Sequence, residues 1–351
     1  MSLIIPCAGS SSRYPNMKPK WMLTSPTNNL MIQKCIENLD LENINEIYIT
    51  FLKEHIDNYQ FNDKLENLFQ FTNKKINILL LDEKTKNQPE TIIKTIHHFN
   101  IQGNIFIKDC DNNFDFKIKN DNYICSLEIN EQNNVKKIYN KSFIEINESN
   151  HIINICEKNI ISNKICIGGY SFNDSKLFID LYNKVLCNKC NDNENLYISH
   201  LIYQGILENI IFKSYNVENY HDWGTSEDWI DYKNEFKTLF IDIDGTLFEN
   251  SSEYFYPQWG ESKPILENIN HINKLYQKNR IQIILTTSRK LKYKQKTIDE
   301  LKKYNISYDN IIFDLFHCKR FLINDYSNSN QYPTSISINL KRNNNDLKDF
   351  L

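Results

Sequence analysis

The chain has 351 residues, with 41 Lys and Arg against 44 Asp and Glu, a net charge of −3 and 40% hydrophobic residues. That length predicts two domains or one large one, and that apolar content excludes a wholly disordered chain. The near-neutral balance speaks against a dedicated nucleic-acid binder. No apolar run reaches the length of a membrane span, and Leu3-Ile4-Ile5-Pro6 is too short, and lacks the basic flank, for a signal peptide.

In chain order, Ser2–Pro6 reads as a short apolar strand, Met31–Leu39 as a helix, and Glu46–Phe51 and Ile76–Leu81 as strands. Thr91–Phe99 reads as a helix and Asn104–Ile107 as a strand. Such alternation predicts an α/β fold with a mostly parallel sheet. Asp228–Glu235 is polar and aromatic with no strong period, which places a boundary there and predicts domains 1–233 and 234–351. A second start follows: Lys237–Ile243 as a strand, Ile265–Gln277 as a helix and Ile281–Leu285 as a strand. Leu291–Tyr304 reads as a long charged helix, and Asn310–Phe313 and Arg320–Ile323 as two further short strands.

Asn, Ile and Lys are heavily used, Ala8 is the one alanine, and there are eight glycines. We read this as the codon bias of an AT-rich genome. With Gly scarce, each remaining Gly is expected where a Cβ is not tolerated; Gly9, Gly224 and Gly245 fall inside the motifs below. The nine cysteines are odd in number and scattered, as expected of reduced thiols in a cytosolic protein. Cys187-x-x-Cys190 is the one close pair, and no second pair follows at zinc-finger spacing, so ordinary thiols are expected there.

The first strand runs into Ala8-Gly9-Ser10-Ser11-Ser12-Arg13, then Pro15 and Lys18-Pro19-Lys20. Small residues after a buried strand let backbone N–H groups approach a polyphosphate. Arg13 adds a bidentate fork and Lys20 a point charge. This arrangement resembles the sugar-phosphate nucleotidylyltransferases, whose first motif runs G-x-G-x-R, then P and P-K. Ser11 stands for the second Gly, as in the S-S-R version of related molybdopterin nucleotidyltransferases. Further matches keep the family's order. Gln88-Pro89-Glu90-Thr91 resembles the base-reading loop, and Asp111-Asn112 the metal-binding aspartate, with Asp109 as an alternative to Asp111. Glu157-Lys158, Ser162-Asn163 and Gly168-Gly169-Tyr170-Ser171-Phe172 resemble the sugar-holding E-K-P…S-N…G-x-Y-x-F stretch, with Asn159 for the usual Pro. His221 to Asp228 resembles the D-x-G-T-x-E-D segment and makes Asp222 the second metal aspartate.

The resemblance implies a GT-A-like mixed sheet flanked by helices and a site in named roles. Ala8 to Ser12 and Gln88 bind the nucleotide, Arg13 and Lys20 are catalytic, and Glu157, Lys158, Gly169 and Glu194 touch the sugar. Asp111 and Asp222 hold Mg2+, which screens the repulsion between two anions. The implied reaction is attack by a sugar 1-phosphate on the α-phosphorus of a nucleoside triphosphate, in which positioning dominates.

The strand Thr238–Ile241 ends in Asp242-Ile243-Asp244-Gly245-Thr246. Two carboxylates two residues apart at a strand end both project toward the crevice where α/β sites form. This resembles motif D-x-D-G-T of the haloacid dehalogenase superfamily, which implies a smaller Rossmann-like domain. By that resemblance Asp242 is the nucleophile forming an aspartyl-phosphate and Asp244 the general acid and base. Thr287, in Thr286-Thr287-Ser288-Arg289, meets the phosphoryl oxygen, with Thr286 as the fallback. Asp325, after Phe321-Leu322-Ile323-Asn324, binds Mg2+ together with Asp242 and Asp244. The required cation falls to Lys319 or Arg320, since Leu315 sits where close relatives have Lys. The 45 positions from Asp242 to Thr287 leave no room for a large cap.

The expectation is thus a bifunctional, Mg2+-dependent cytoplasmic enzyme of surface-polysaccharide synthesis, with a nucleoside triphosphate and a sugar phosphate as substrates and no nucleic-acid or membrane partner. One alternative is a cytidylyltransferase for an alditol or choline-like phosphate. Another is a binding protein whose phosphatase half is inactive. Oligomeric state and nucleobase stay open.

Overall fold

The first strand, β1 (Ser2–Cys7), turns Leu3, Ile5 and Cys7 to one apolar core and Ile4 to another. It is therefore buried on both faces, as a parallel strand covered by helices must be. Each such Leu or Ile contributes roughly 1.5–3 kcal/mol. The computed structural model describes every residue except 66, 131–134, 136, 189–195 and 328–332. Cys190 and Glu194 lie outside the described residues. The chain divides into two compact units, Met1–Trp229 and Ile230–Leu351. Among the described residues no helix is long and apolar enough to cross a membrane.

After β1 come α1 (Met31–Lys34), β2 (Leu39–Asp40), β3 (Glu46–Leu52), α2 (Lys53–Asn58), β4 (Lys75–Leu81), α3 (Gln88–Phe99) and β5 (Ile105–Lys108). Then follow β6 (Asn112–Lys117), β7 (Tyr123–Glu128), β8 (Ser142–Ile146), β9 (Ile152–Glu157) and β10 (Lys164–Phe172). The first unit ends with α4 (Ser175–Asn188), α5 (Ile198–Leu207), β11 (Lys213–Asn216), β12 (Glu218–Asp222) and α6 (Ser226–Asn234), and the division between units falls inside α6. A nine-stranded sheet runs β11-β7-β10-β5-β1-β3-β4, with β8 on β10 and β9 on β8. Strands β5, β1, β3 and β4 are parallel, and β10 is antiparallel to β5 and β7. A second sheet runs β12-β6-β2 and sets Asp222 opposite Asn112. Since β1 and β5 are parallel neighbours, the loop after β1 and the turn after β5 emerge side by side.

That turn is shaped by β10. The pairing of β10 with β7 shifts register between Cys166 and Tyr170. Within the bulge Gly168 takes φ +83°, and its carbonyl accepts the Asp109 N–H at 2.9 Å. A Cβ on Gly168 would lie 2.5 Å from Asp109 Oδ2 and 2.6 Å from Asn112 Nδ2. Gly168→Ala is therefore expected to destabilise the first unit by at least about 2 kcal/mol, from left-handed strain and the clash together. Gly9→Ala, where a Cβ meets nothing within 4 Å, should stay within about 0.5 kcal/mol of wild type. Urea unfolding of both variants checks the contrast. The open space at Gly9 also corrects the expectation that its side-chain-free backbone is sterically required.

Other differences have local causes. The helix expected over Met31–Leu39 stops at Lys34, because the chain turns to pair Leu39 with Phe116 on β6 and to bond Asn38 Nδ2 to Asp115 Oδ1 at 2.6 Å. The patternless Asp228–Glu235 is helical up to Asn234, within α6. Thr225 and Asp228 bond reciprocally there, side chain to backbone N–H, at 3.0 and 3.3 Å, a capping box that starts the helix.

The second unit contains β13 (Lys237–Asp242), α7 (Leu266–Tyr276), β14 (Ile281–Thr286), α8 (Lys294–Lys303) and β15 (Asn310–Ile312). Its parallel sheet runs β13-β14-β15. The strand expected over Arg320–Ile323 is not formed: the segment is irregular, and Phe321 and Ile323 are exposed. Three apolar residues between Arg320 and Asn324 are too short a pattern to dictate strand pairing.

Candidate active site

In the first unit the loop after β1 folds back on itself. Ser11 takes φ +52°, and its Oγ accepts the Lys20 N–H at 3.0 Å. The Tyr14 N–H donates to the Ser11 carbonyl at 2.8 Å. This leaves Gly9 and Ser10 exposed while Ala8 is buried. Lys20 Nζ then reaches Asp111 Oδ2 at 2.7 Å, and Arg13 Nη2 reaches the same oxygen at 3.4 Å. Asp111 Oδ1 accepts no hydrogen bond from a described residue. Burial alone would raise the Asp111 carboxyl, but Lys20 and Arg13 outweigh it and hold the group well below the usual carboxylate range. Burial alone would likewise lower the Lys20 ammonium, and Asp111 keeps it above its ordinary value.

Asp222 is brought to the same place by β12. The Trp223 N–H donates to the Asp111 carbonyl at 2.8 Å, and the Tyr14 hydroxyl donates to the Trp223 carbonyl. Asp222 Oδ1 accepts the Gly224 N–H at 3.1 Å, and its Oδ2 lies 2.5 Å from Lys141 Nζ. A Cβ on Gly224 would crowd Asp222 Oδ1 at 3.1 Å and Arg13 Nη1 at 3.3 Å. The motifs at Ala8–Lys20, Asp111 and Asp222 thus converge.

Asp109 faces another way. Gln88 Nε2 donates to its Oδ1 at 2.5 Å, and burial together with Asp111 pushes its carboxyl up to about 6. Behind it lies Lys108, a fully buried lysine absent from the sequence expectations. Its ammonium donates to the Asp109 and Asn112 carbonyls at 2.8 and 2.9 Å and to Asn112 Oδ1. Three donors meet three acceptors, which fixes the turn that carries Asp111. The sugar-stretch residues are mostly engaged. Glu157 Oε2 accepts from Ser199 Oγ at 2.7 Å and from Ser142 Oγ, and Lys158 Nζ donates to the Tyr197 hydroxyl at 2.6 Å. Gly169 packs on Cys125, where a Cβ would lie 2.8 Å from Sγ.

In the second unit, Gly245 takes φ +92° so that its N–H can reach back to the Phe248 carbonyl at 2.7 Å, and this turn follows the two aspartates directly. Asp242, at the end of β13, lies 3.2 Å from Arg320 Nη2. Burial pushes its carboxyl up, and Arg320 pulls against that. Asp244 is held on several sides. Arg289 Nε and Nη2 donate to it at 2.8–3.2 Å, Ser251 Oγ at 2.9 Å and Thr287 Oγ1 at 3.3 Å. Arg289 is fully buried and also holds Glu300 Oε2 at 2.6 Å. Arg289 stood in the Thr286–Arg289 run without a role, and Glu300 carried no signal beyond its place in a charged helix. Asp325 lies on an exposed, irregular segment, and its carboxylate bonds to no described residue. Lys319 is exposed as well.

Among the described residues no group of three or more His, Cys, Asp and Glu is arranged to hold a metal. The pair Asp111 and Asp222 nevertheless offers hard oxygen donors, one of them without a hydrogen bond, and this suits an ion such as Mg2+ that takes one or two carboxylates and completes its shell with phosphate oxygens.

No protein-family model matches the chain, and no curated protein does. Solved structures do. A nucleoside-diphosphate-sugar pyrophosphorylase from Vibrio cholerae RC9 is similar at TM-score 0.57 and 19% identity, over 66% of this chain and 99% of that one. A UDP-glucose pyrophosphorylase complexed with UDP-glucose is similar at 0.51 and 16%, over 66% and 97%. The inositol-1-phosphate CTP transferase from T. maritima is similar at 0.50 and 12%, over 65% and 90%. The chain therefore carries a nucleotidyltransferase-like fold over two thirds of its length, a share close to that of Met1–Trp229.

Proposed function

We propose that the first unit transfers a nucleotidyl group from a nucleoside triphosphate to a sugar 1-phosphate, releasing pyrophosphate. The observation that carries this is the convergence of Arg13 and Lys20 on Asp111, with Asp222 drawn beside it through Trp223. A phosphate oxygen of the acceptor bonds to the α-phosphorus, the bond from that phosphorus to the bridging oxygen of the β-phosphate breaks, and pyrophosphate leaves with the electron pair. Arg13, Lys20 and the backbone N–H groups of the Ala8–Ser12 loop hold the departing phosphates. Asp111 and Asp222 would hold Mg2+, which when bound supplies charge screening between the two anions. Lys108 keeps the turn of Asp111 in place. The solved structures of similar fold include enzymes named for NDP-sugar, UDP-glucose and inositol 1-phosphate substrates, in keeping with this reading. A panel of four nucleoside triphosphates against sugar 1-phosphates, with and without Mg2+ and following pyrophosphate, tests it. Silence across the panel would refute it. Turnover only with an alditol or choline-like phosphate would favour the cytidylyltransferase alternative.

For the second unit, we infer phosphate-monoester hydrolysis through Asp242, supported by its place at the end of a parallel strand with Arg320 beside it. Asp242 would bond to phosphorus as the ester P–O bond breaks and the departing oxygen takes a proton from solvent, and water would then cleave the aspartyl-phosphate to release phosphate. Asp244 accepts hydrogen bonds on both oxygens from Arg289. We therefore assign it to orientation rather than to proton transfer. The natural substrate class is a sugar bisphosphate that loses one phosphate before activation. Release of inorganic phosphate from such compounds by the full chain tests this, and no release from any of them would leave this unit a binding role.

A further inference from the structure

We propose that Lys141 is the residue that receives the phosphate of the acceptor, which commits the acceptor to an anionic phosphomonoester. This rests on the nucleotidyl-transfer reading above and adds a residue to it. Lys141 precedes β8 and carries no motif. Its Nζ lies 2.5 Å from Asp222 Oδ2 and 3.1 Å from the Tyr220 hydroxyl. Its carbonyl accepts the Lys158 N–H at 3.1 Å, and the next residue, Ser142, donates to Glu157. Lys141 thus stands where the Asp111–Asp222 centre meets the Glu157–Lys158 stretch, the place an acceptor's phosphate must occupy if its sugar lies along that stretch.

The ammonium has three donors and uses two, so one remains for an incoming oxygen. Its side chain is largely buried, at 19% exposure, so a phosphate would meet it with little water between. The cations also come from two separate elements. Arg13 and Lys20 come from the loop after β1 and meet Asp111, whereas Lys141 comes from the start of β8 and meets Asp222. An in-line displacement has use for both, since the leaving pyrophosphate and the entering phosphate are separate anions on either side of the α-phosphorus. Lys158 is the other candidate. It is exposed, and its Nζ donates to the Tyr197 hydroxyl at 2.6 Å and lies over the Tyr197 ring at 4.5 Å.

The test measures KM for the sugar 1-phosphate and for the nucleoside triphosphate, with kcat, in the full chain carrying K141M, K141R or K158M. For K141M the acceptor KM should rise by about 30-fold or more while the triphosphate KM stays within about threefold. K141R should recover part of that loss because it keeps the charge, and K158M should raise the acceptor KM by less than K141M does. Thermal melts identify any variant that fails to fold, and the charge-keeping K141R then carries the comparison with K158M. An unchanged acceptor KM in K141M, or a larger effect in K158M, overturns the assignment while nucleotidyl transfer stands. A wild type that releases no pyrophosphate with any sugar 1-phosphate overturns both.

Discussion

Asp111→Asn is expected to lower pyrophosphate release by about 10³-fold, roughly 4 kcal/mol of transition-state stabilisation. Asn keeps the shape of the side chain and removes the charge that Lys20 meets at 2.7 Å and Arg13 at 3.4 Å. It also removes the oxygen donor that accepts no other described hydrogen bond. The two cations would then repel each other beside a neutral acceptor, and the phosphates would lose the charge that aligns them. The pH dependence follows from the sign of the shift. The Asp111 carboxyl is held below its ordinary range when folded. Its stabilisation is therefore complete above the unfolded carboxylate range, near pH 4, and is lost only as pH falls through the lower folded value. The stability gap between wild type and D111N should accordingly be flat from about pH 5 to 8 and close only in strong acid. Pyrophosphate release over a range of Mg2+ concentrations, with urea unfolding across pH, checks both parts. More than about a tenth of wild-type turnover with unaltered Mg2+ dependence would remove Asp111 from the centre.

What could be read in advance was what periodicity and short motifs encode. β1, β3, β4, α3, β5, β13, α7 and β14 are apolar runs or amphipathic stretches and fall within a residue or a few of expectation. The strands from β6 to β12 lie in a stretch that carries motifs but no clear strand periodicity. β6 begins Asn112-Asn113, two buried polar residues that read as loop. They are tolerated because Lys108 donates to Asn112 and Asn113 Nδ2 donates to the Lys34 carbonyl, contacts that exist only once distant segments meet. The same holds for Lys108, Lys141 and Glu300: no local pattern marks a lysine as buried, or a glutamate on a charged helix as the partner of a buried arginine. Arg13, Lys20, Asp111 and Asp222 were legible because their spacing in the chain follows a motif order. Asp325 follows the same logic, and Arg320–Ile323, the strand expected before it, is irregular.

Arg289→Met is expected to destabilise the second unit by about 3–5 kcal/mol, enough to threaten its folding. Arg289 is fully buried and spans three segments: Asp244 after β13, Ser262 before α7, and Thr297 and Glu300 on α8. Glu300 is itself nearly inaccessible, and its other oxygen accepts the Ser262 N–H at 2.7 Å. Methionine fills much the same space but leaves Glu300 as a buried charge without its cation, and that uncompensated charge makes up most of the expected cost. Coupling separates this account from simple loss of packing. If the charge dominates, Glu300→Gln in the R289M background should recover about 1–3 kcal/mol, whereas Glu300→Gln alone should destabilise the protein. Hydrogen exchange of the β13 and β14 amides in the full chain reads the second unit directly, and protection there should fall in R289M and partly return in the double variant. Additive losses would mean that the arginine acts through volume alone, and Asp244 would then need another group to hold its orientation.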